Sequence, residues 1–134
     1  MNIMKTLVCA VALSAVSFAV AAPVQAGPRD TIIASFGAPG PANPAKGKAM
    51  YDATYGTGKV ETPKCTTCHG ASPTQSGLTR TGKVIDPMAV SRTPDRFTDP
   101  RKVAKWFKRN CMGVIGRECT PQEKVDFVSY MLTQ

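Results

Sequence analysis

The chain has 134 residues, with 17 Lys and Arg against 9 Asp and Glu for a formal net charge of +8, five cysteines and one histidine. That length fits one small domain, and a lone histidine excludes any site that needs two imidazoles. A basic balance of this size admits nucleic acid or an acidic protein as partner, a choice that the rest of the chain decides.

The first 26 residues are organised as a secretory signal peptide: a basic start at Lys5, an apolar run from Leu7 to Ala22, and the small-residue stretch Val24-Gln25-Ala26 before Gly27. The run is about 16 residues, short of the roughly 20 that a spanning helix needs. Cleavage is therefore expected, with no stable membrane anchor afterwards and residues 27–134 as the mature domain. Cys9 leaves with the segment, so Cys65, Cys68, Cys111 and Cys119 remain. Without Lys5 the balance is 16 Lys and Arg against 9 Asp and Glu, a net of +7. The periplasm that export implies holds no nucleic acid, and no nucleic-acid motif appears. An acidic protein is the expected partner.

In the mature chain, Asp30 is placed to cap a short helix from Thr31 to Phe36, stopped by Gly37 and Pro39. Residues 37–44 form a Gly/Pro-rich connector. Asn43-Pro44 reads as an N-cap followed by proline in the first turn, opening a helix from Pro44 to Ala53. Gly47 inside it costs helix stability relative to alanine, which points to a close helix crossing, and Tyr51 shares its face four residues on. From Thr54 to Lys64 the glycines and Pro63 indicate loop.

That loop delivers the chain to Cys65-Thr66-Thr67-Cys68-His69. In an exported protein this pattern is the attachment site of a c-type haem: two thiols add to the porphyrin vinyl groups and the adjacent imidazole, His69, takes the proximal position on iron. One helical turn sets both sulfurs against one edge of the macrocycle. A thioredoxin-like redox pair would follow a strand in a βαβ unit, whereas Cys65 follows a glycine-rich loop. A zinc site would need one of the distant cysteines as fourth ligand, and those two have a better use. In an oxidising compartment pairing is their default, so Cys111 and Cys119 are expected to form a disulfide.

Residues 70–99 carry Pro73, Gly77, Gly82, Pro87 and Pro94 and no sustained helical period, as suits chain that wraps a haem edge; Met88 lies within it. Asp99-Pro100 opens a helix to Asn110, with Val103, Trp106, Phe107 and Asn110 on one face and Arg101, Lys102, Lys105, Lys108 and Arg109 largely elsewhere. A loop from Met112 to Glu118 is enclosed by Cys111 and Cys119. Thr120-Pro121-Gln122-Glu123 has capping-box form and starts a last helix to Leu132, with Val125, Val128 and Leu132 in line. The expected fold is all-α, a small class I-like cytochrome c fold of several short helices around one covalent haem c. Methionine is the ordinary sixth ligand of electron-transfer cytochromes. Met50 and Met131 lie in packing helices, leaving Met88 and Met112 as candidates.

Three further stretches, Thr93-Pro94-Asp95-Arg96-Phe97-Thr98-Asp99, Lys105-Trp106-Phe107-Lys108-Arg109-Asn110-Cys111 and Gly116-Arg117-Glu118-Cys119-Thr120, together with the haem motif, resemble the Sphaeroides haem protein (SHP) family of oxygen-binding monohaem cytochromes c. The resemblance implies that Asn110, just before the first disulfide cysteine, is the distal ligand of oxidised haem and leaves on reduction; a closely related cytochrome type has a detachable histidine there. It further implies a ferrous haem that binds O2, NO or CO, or turns over a small oxidant, and electron donors such as a dihaem cytochrome c or a membrane cytochrome b. The chemistry agrees, since a neutral amide oxygen is a hard, weak donor that holds Fe(III) better than Fe(II). A conventional His/Met electron-transfer cytochrome c, with Met112 or Met88 in place of Asn110, is the alternative.

Overall fold

The computed structural model describes residues 26–134, so the segment expected to be a signal peptide, Ala26 apart, lies outside the described residues. Five helices and one short hairpin follow in order: α1 (Pro28–Ser35), α2 (Pro44–Asp52), α3 (Thr66–His69), β1 (Gly77–Leu78), β2 (Val84–Ile85), α4 (Pro100–Val114) and α5 (Pro121–Leu132). None of these helices is long and apolar enough to cross a membrane.

Local chemistry sets most of the helix starts. Asn43 Oδ1 accepts from the Ala45 and Lys46 amides, and Asp99 Oδ1 accepts from those of Arg101 and Lys102. Thr120 and Glu123 exchange both bonds of a capping box, each exchange satisfying an amide without a helical partner. α1 differs from expectation. It begins at Pro28, and Asp30 sits in its first turn with the carboxylate accepting from the Gly27 amide.

The framework is the crossing of α2 over α5. At Gly47 the helices approach so closely that an added Cβ would stand 2.6 Å from Asp126 C and 2.8 Å from Tyr130 Cβ. The buried Asp126 carboxylate accepts from the Asn43 amide and from Gln122 Nε2, both at 2.8 Å, which fastens the N-terminus of α2 to α5. Tyr51, Phe127, Tyr130, Phe107 and Phe36 form a chain of aromatic contacts through the core, with centroids 5.6–6.4 Å apart. Val125 and Val128 are buried as expected, but Leu132, the last residue of the helix, is exposed while Tyr130 and Met131 of the same turn are buried.

Residues 70–99 are less irregular than the sequence indicates. β1 and β2 pair antiparallel, with Gly77 opposite Ile85 and Leu78 opposite Val84; two-residue strands are too short to show alternation. Arg96 gathers the following chain, donating from Nε to Pro87 O and from Nη2 to Asp86 O, and Arg29 reaches across to Arg96 O and Pro94 O. Phe97 adopts φ 60°, left-handed backbone that a bulky residue takes at a cost of about 1–2 kcal/mol, while its side chain packs on the core.

Candidate haem site

The Cys65–His69 turn is helical by hydrogen bonding: His69 N–H donates to Cys65 O at 3.1 Å and Gly70 N–H to Thr66 O at 3.2 Å. Gly70, at φ 77°, ends it. Two contacts hold the turn in place. Tyr51, fully buried on α2, donates its hydroxyl to Gly70 O at 2.8 Å, with His69 O 3.2 Å away. On the other side β1 lies against α3, where a Cβ on Gly77 would come within 2.8 Å of His69 Cα. Neither contact was legible in the sequence, where Tyr51 reads as packing and Gly77 as loop.

The residues fit a covalent haem. Cys65 and Cys68 are half-buried and unpaired, and burial pushes the Cys65 thiol up to about 11. His69 Nδ1 is buried and, among the described residues, is without a hydrogen-bond partner. Burial, then the charge of Arg96, holds the imidazole below its ordinary value, so the ring is neutral at pH 7 and keeps a lone pair for a metal. In the hairpin beside the turn, the cross-strand pair Leu78 and Val84 is exposed. The zinc alternative fails. Cys111 and Cys119 are joined as a disulfide with Cα atoms 5.6 Å apart, and among the described residues no three His, Cys, Asp or Glu side chains converge on one point.

α4 runs four residues beyond its expected end at Asn110, continuing through Cys111 to Val114. Asn110 is thus an interior helical residue. Val103, Phe107 and Cys111 are buried along the inward face. At about 100° per residue Asn110 falls within about 20° of Val103 and about 40° of Val114, yet its side chain is exposed and makes no hydrogen bond among the described residues. Met112 falls on the opposite side of the helix from Asn110 and is 47% exposed. Met88 is half-buried against the core, and Met131 is fully buried. Trp106, expected in the core, is also 47% exposed, with Lys105 Nζ and Arg109 Cζ about 5.5 Å from its ring. The structure brings Cys65, Cys68 and His69 together in one turn. Asn110 stands on a different helix, α4, which has no extensive contact with α3 among the described residues.

An all-α fold of this size, built around a half-buried Cys-X-X-Cys-His turn, is that of a small c-type cytochrome. Residues 38–131 match a family described as a domain of unknown function, DUF1924. The chain is 54% identical over 94 residues to the cytochrome c-type protein SHP of Cereibacter sphaeroides, covering 70% of this chain and 73% of that one. The structure of oxidised SHP, an oxygen-binding cytochrome c, superposes with a TM-score of 0.73 at 51% identity, over 78% of this chain and 95% of that one. Cytochrome c'' of Methylophilus methylotrophus is 35% identical over 89 residues, 66% of this chain and 62% of that relative's length. Its solution structure, which bears on haem-ligand detachment, gives a TM-score of 0.63 at 27% identity over 79% and 93% of the two chains. The chain belongs to the SHP family of c-type cytochromes, and its cofactor is a single haem c.

Proposed function

We propose that this protein is a periplasmic monohaem cytochrome that binds a small diatomic, O2, NO or CO, once it is reduced. In this reading Cys65 and Cys68 hold the haem by thioether bonds, His69 is the proximal ligand, and the Asn110 amide oxygen occupies the distal position in the oxidised form. The haem supplies an iron that accepts one electron and takes a diatomic at its distal side. Asn110, a hard and neutral donor, would hold Fe(III) better than the softer Fe(II). The freed amide, donor as well as acceptor, is then available to hydrogen-bond the incoming ligand. The observation that carries the reading is the place of Asn110: an exposed amide at the edge of the apolar face of α4, within about 20° of Val103, with no hydrogen bond among the described residues. Oxygen binding by SHP and ligand detachment in cytochrome c'' support it.

Electrons come from another cytochrome, a dihaem cytochrome c or a membrane cytochrome b. The outward face of α4 suits an acidic partner: Arg101, Lys102, Lys105, Lys108 and Arg109 are exposed, and the helix holds no Asp or Glu. Trp and Arg are among the residue types enriched at binding hot spots, and Arg109 lies over the Trp106 ring.

A pair of absorption spectra tests the reading. The dithionite-reduced protein is expected to show a high-spin ferrous spectrum and rapid CO uptake, and Asn110→Ala to leave the ferric protein high-spin or water-bound with haem incorporation barely changed. A low-spin ferrous spectrum with an Fe–S(Met) band in the ferric form would point instead to methionine ligation, by Met112 or Met88, and a plain electron carrier.

A further inference from the structure

Two segments far apart in sequence lock together beside Asn110. The last turn of α4 leaves carbonyls without helical partners, and residues 57–62 meet part of that need. Lys59 N–H donates to Gly113 O at 2.7 Å, Thr62 Oγ1–H donates to the same oxygen at 3.4 Å, and Thr57 Oγ1–H donates to Ile115 O. Glycines permit the approach from both sides. A Cβ on Gly58 would stand 2.5 Å from Val114 C, and one on Gly116, at φ 81°, would stand 2.7 Å from Thr57 C. The Cys111–Cys119 disulfide grips the same turn from the side of α5. Asn110 is three residues before Gly113, so its backbone rides on a turn held from two directions.

We infer that residues 57–62 form a clasp that positions Asn110, so that its amide leaves and rejoins the iron by rotating its own side chain over a fixed backbone, without melting of the helix end. Thr57 and Thr62 are positioning residues in this account, which rests on Asn110 being the distal ligand. The clasp also runs directly into Cys65. The segment that feeds the haem-attachment turn is thereby the one that fixes the turn bearing the distal ligand.

The test uses the holoprotein carrying Thr57→Val and Thr62→Val together, with Thr57→Ser and Thr62→Ser as the hydroxyl-retaining control and Asn110→Ala alongside. Loss of one hydrogen bond of ordinary strength corresponds to roughly fivefold in an equilibrium. The ratio of ligated to unligated ferric haem, read from the absorption spectrum, is expected to fall by about that factor, chiefly through Thr57, since the Thr62 contact at 3.4 Å is long, and the serine pair to restore it. Amide exchange at Lys59 is expected to quicken in the valine pair, and in the wild type exchange at Ile115 to be the same before and after reduction. A wild-type ferric spectrum in the valine pair, with Asn110→Ala altered, would overturn the clasp and leave the ligand assignment standing. Faster Ile115 exchange on reduction would overturn the fixed backbone. An unaltered spectrum in Asn110→Ala would remove the premise and the clasp's role with it. Should the valine pair fail to take up haem, Thr57→Val alone, against Thr57→Ser, is read on the same scale.

Discussion

Replacing Gly47 with alanine asks whether the α2/α5 crossing depends on a missing side chain. In an unconstrained helix this change is favourable by about 1 kcal/mol. Here the added Cβ would stand 2.6 Å from Asp126 C and nearer still to its carbonyl oxygen, whereas ordinary contact begins at 3.4 Å. The helices must therefore separate by at least 0.8 Å, and since the obstacle is backbone, no side-chain rotation relieves it. The same movement takes the Asn43 N–Asp126 Oδ1 bond from 2.8 Å to about 3.6 Å, beyond hydrogen-bonding range. Losing a bond to a buried carboxylate costs about 1.5–3 kcal/mol and overpacking about 1–3 kcal/mol. With the propensity gain subtracted, the net is about 3 kcal/mol, or a fall in Tm of roughly 10–15 °C for a domain of this size. Thermal unfolding of the holoprotein followed by far-ultraviolet circular dichroism measures it. An unchanged or higher Tm would refute the crossing as the source of the requirement for glycine.

Tyr51→Phe keeps the ring in the core and removes the donor to Gly70 O, so a loss of about 1 kcal/mol in denaturant unfolding is expected; no loss would mean that the hydroxyl does not hold the haem turn. Cys111→Ser is expected to loosen the distal segment and shift the reduction potential, checked by redox titration, with stability lower by roughly 2–3 kcal/mol in the chain-entropy picture. An unmoved potential and ligand-exchange rate would reduce the disulfide to a fold staple. The hydrogen bonds from Arg117 hold Glu123 below its ordinary value near 4.5. Its contribution is therefore complete above pH 4.5 and fades as pH falls through the lower folded value. The stability gap between the wild type and Glu123→Gln should accordingly be present at pH 7 and shrink in acid; a gap that widens in acid would contradict the pairing.

What the sequence reveals follows the range of the interactions concerned. Asn43, Asp99, Thr120 and Glu123 cap helices through atoms two or three residues away, so each helix start can be read from its neighbours. Gly47 is legible because a glycine inside a helical pattern has a cost that must be offset. Cys65, Cys68 and His69 are legible because the chemistry fixes their spacing. The end of α4 is not. After Asn110 the sequence shows cysteine and two glycines, which read as loop, but the helix is carried on by partners at residues 57–62 and by the disulfide. Tyr51 and Gly77 escape for the same reason, since each acts on the Cys65–His69 turn from a distant element. The longer α4 also sets Met112 and Asn110 on different faces, because a continuous helix turns the one away from the other.

The bond between Asn43 and Asp126 joins positions 83 residues apart, and Cys65 to His69 lie inside the ring of chain that it closes. Contacts of such separation form late, after local turns and helices. The thiols are half-buried once the ring has closed. The crossing of α2 and α5 therefore closes the loop of chain that carries the haem-attachment turn.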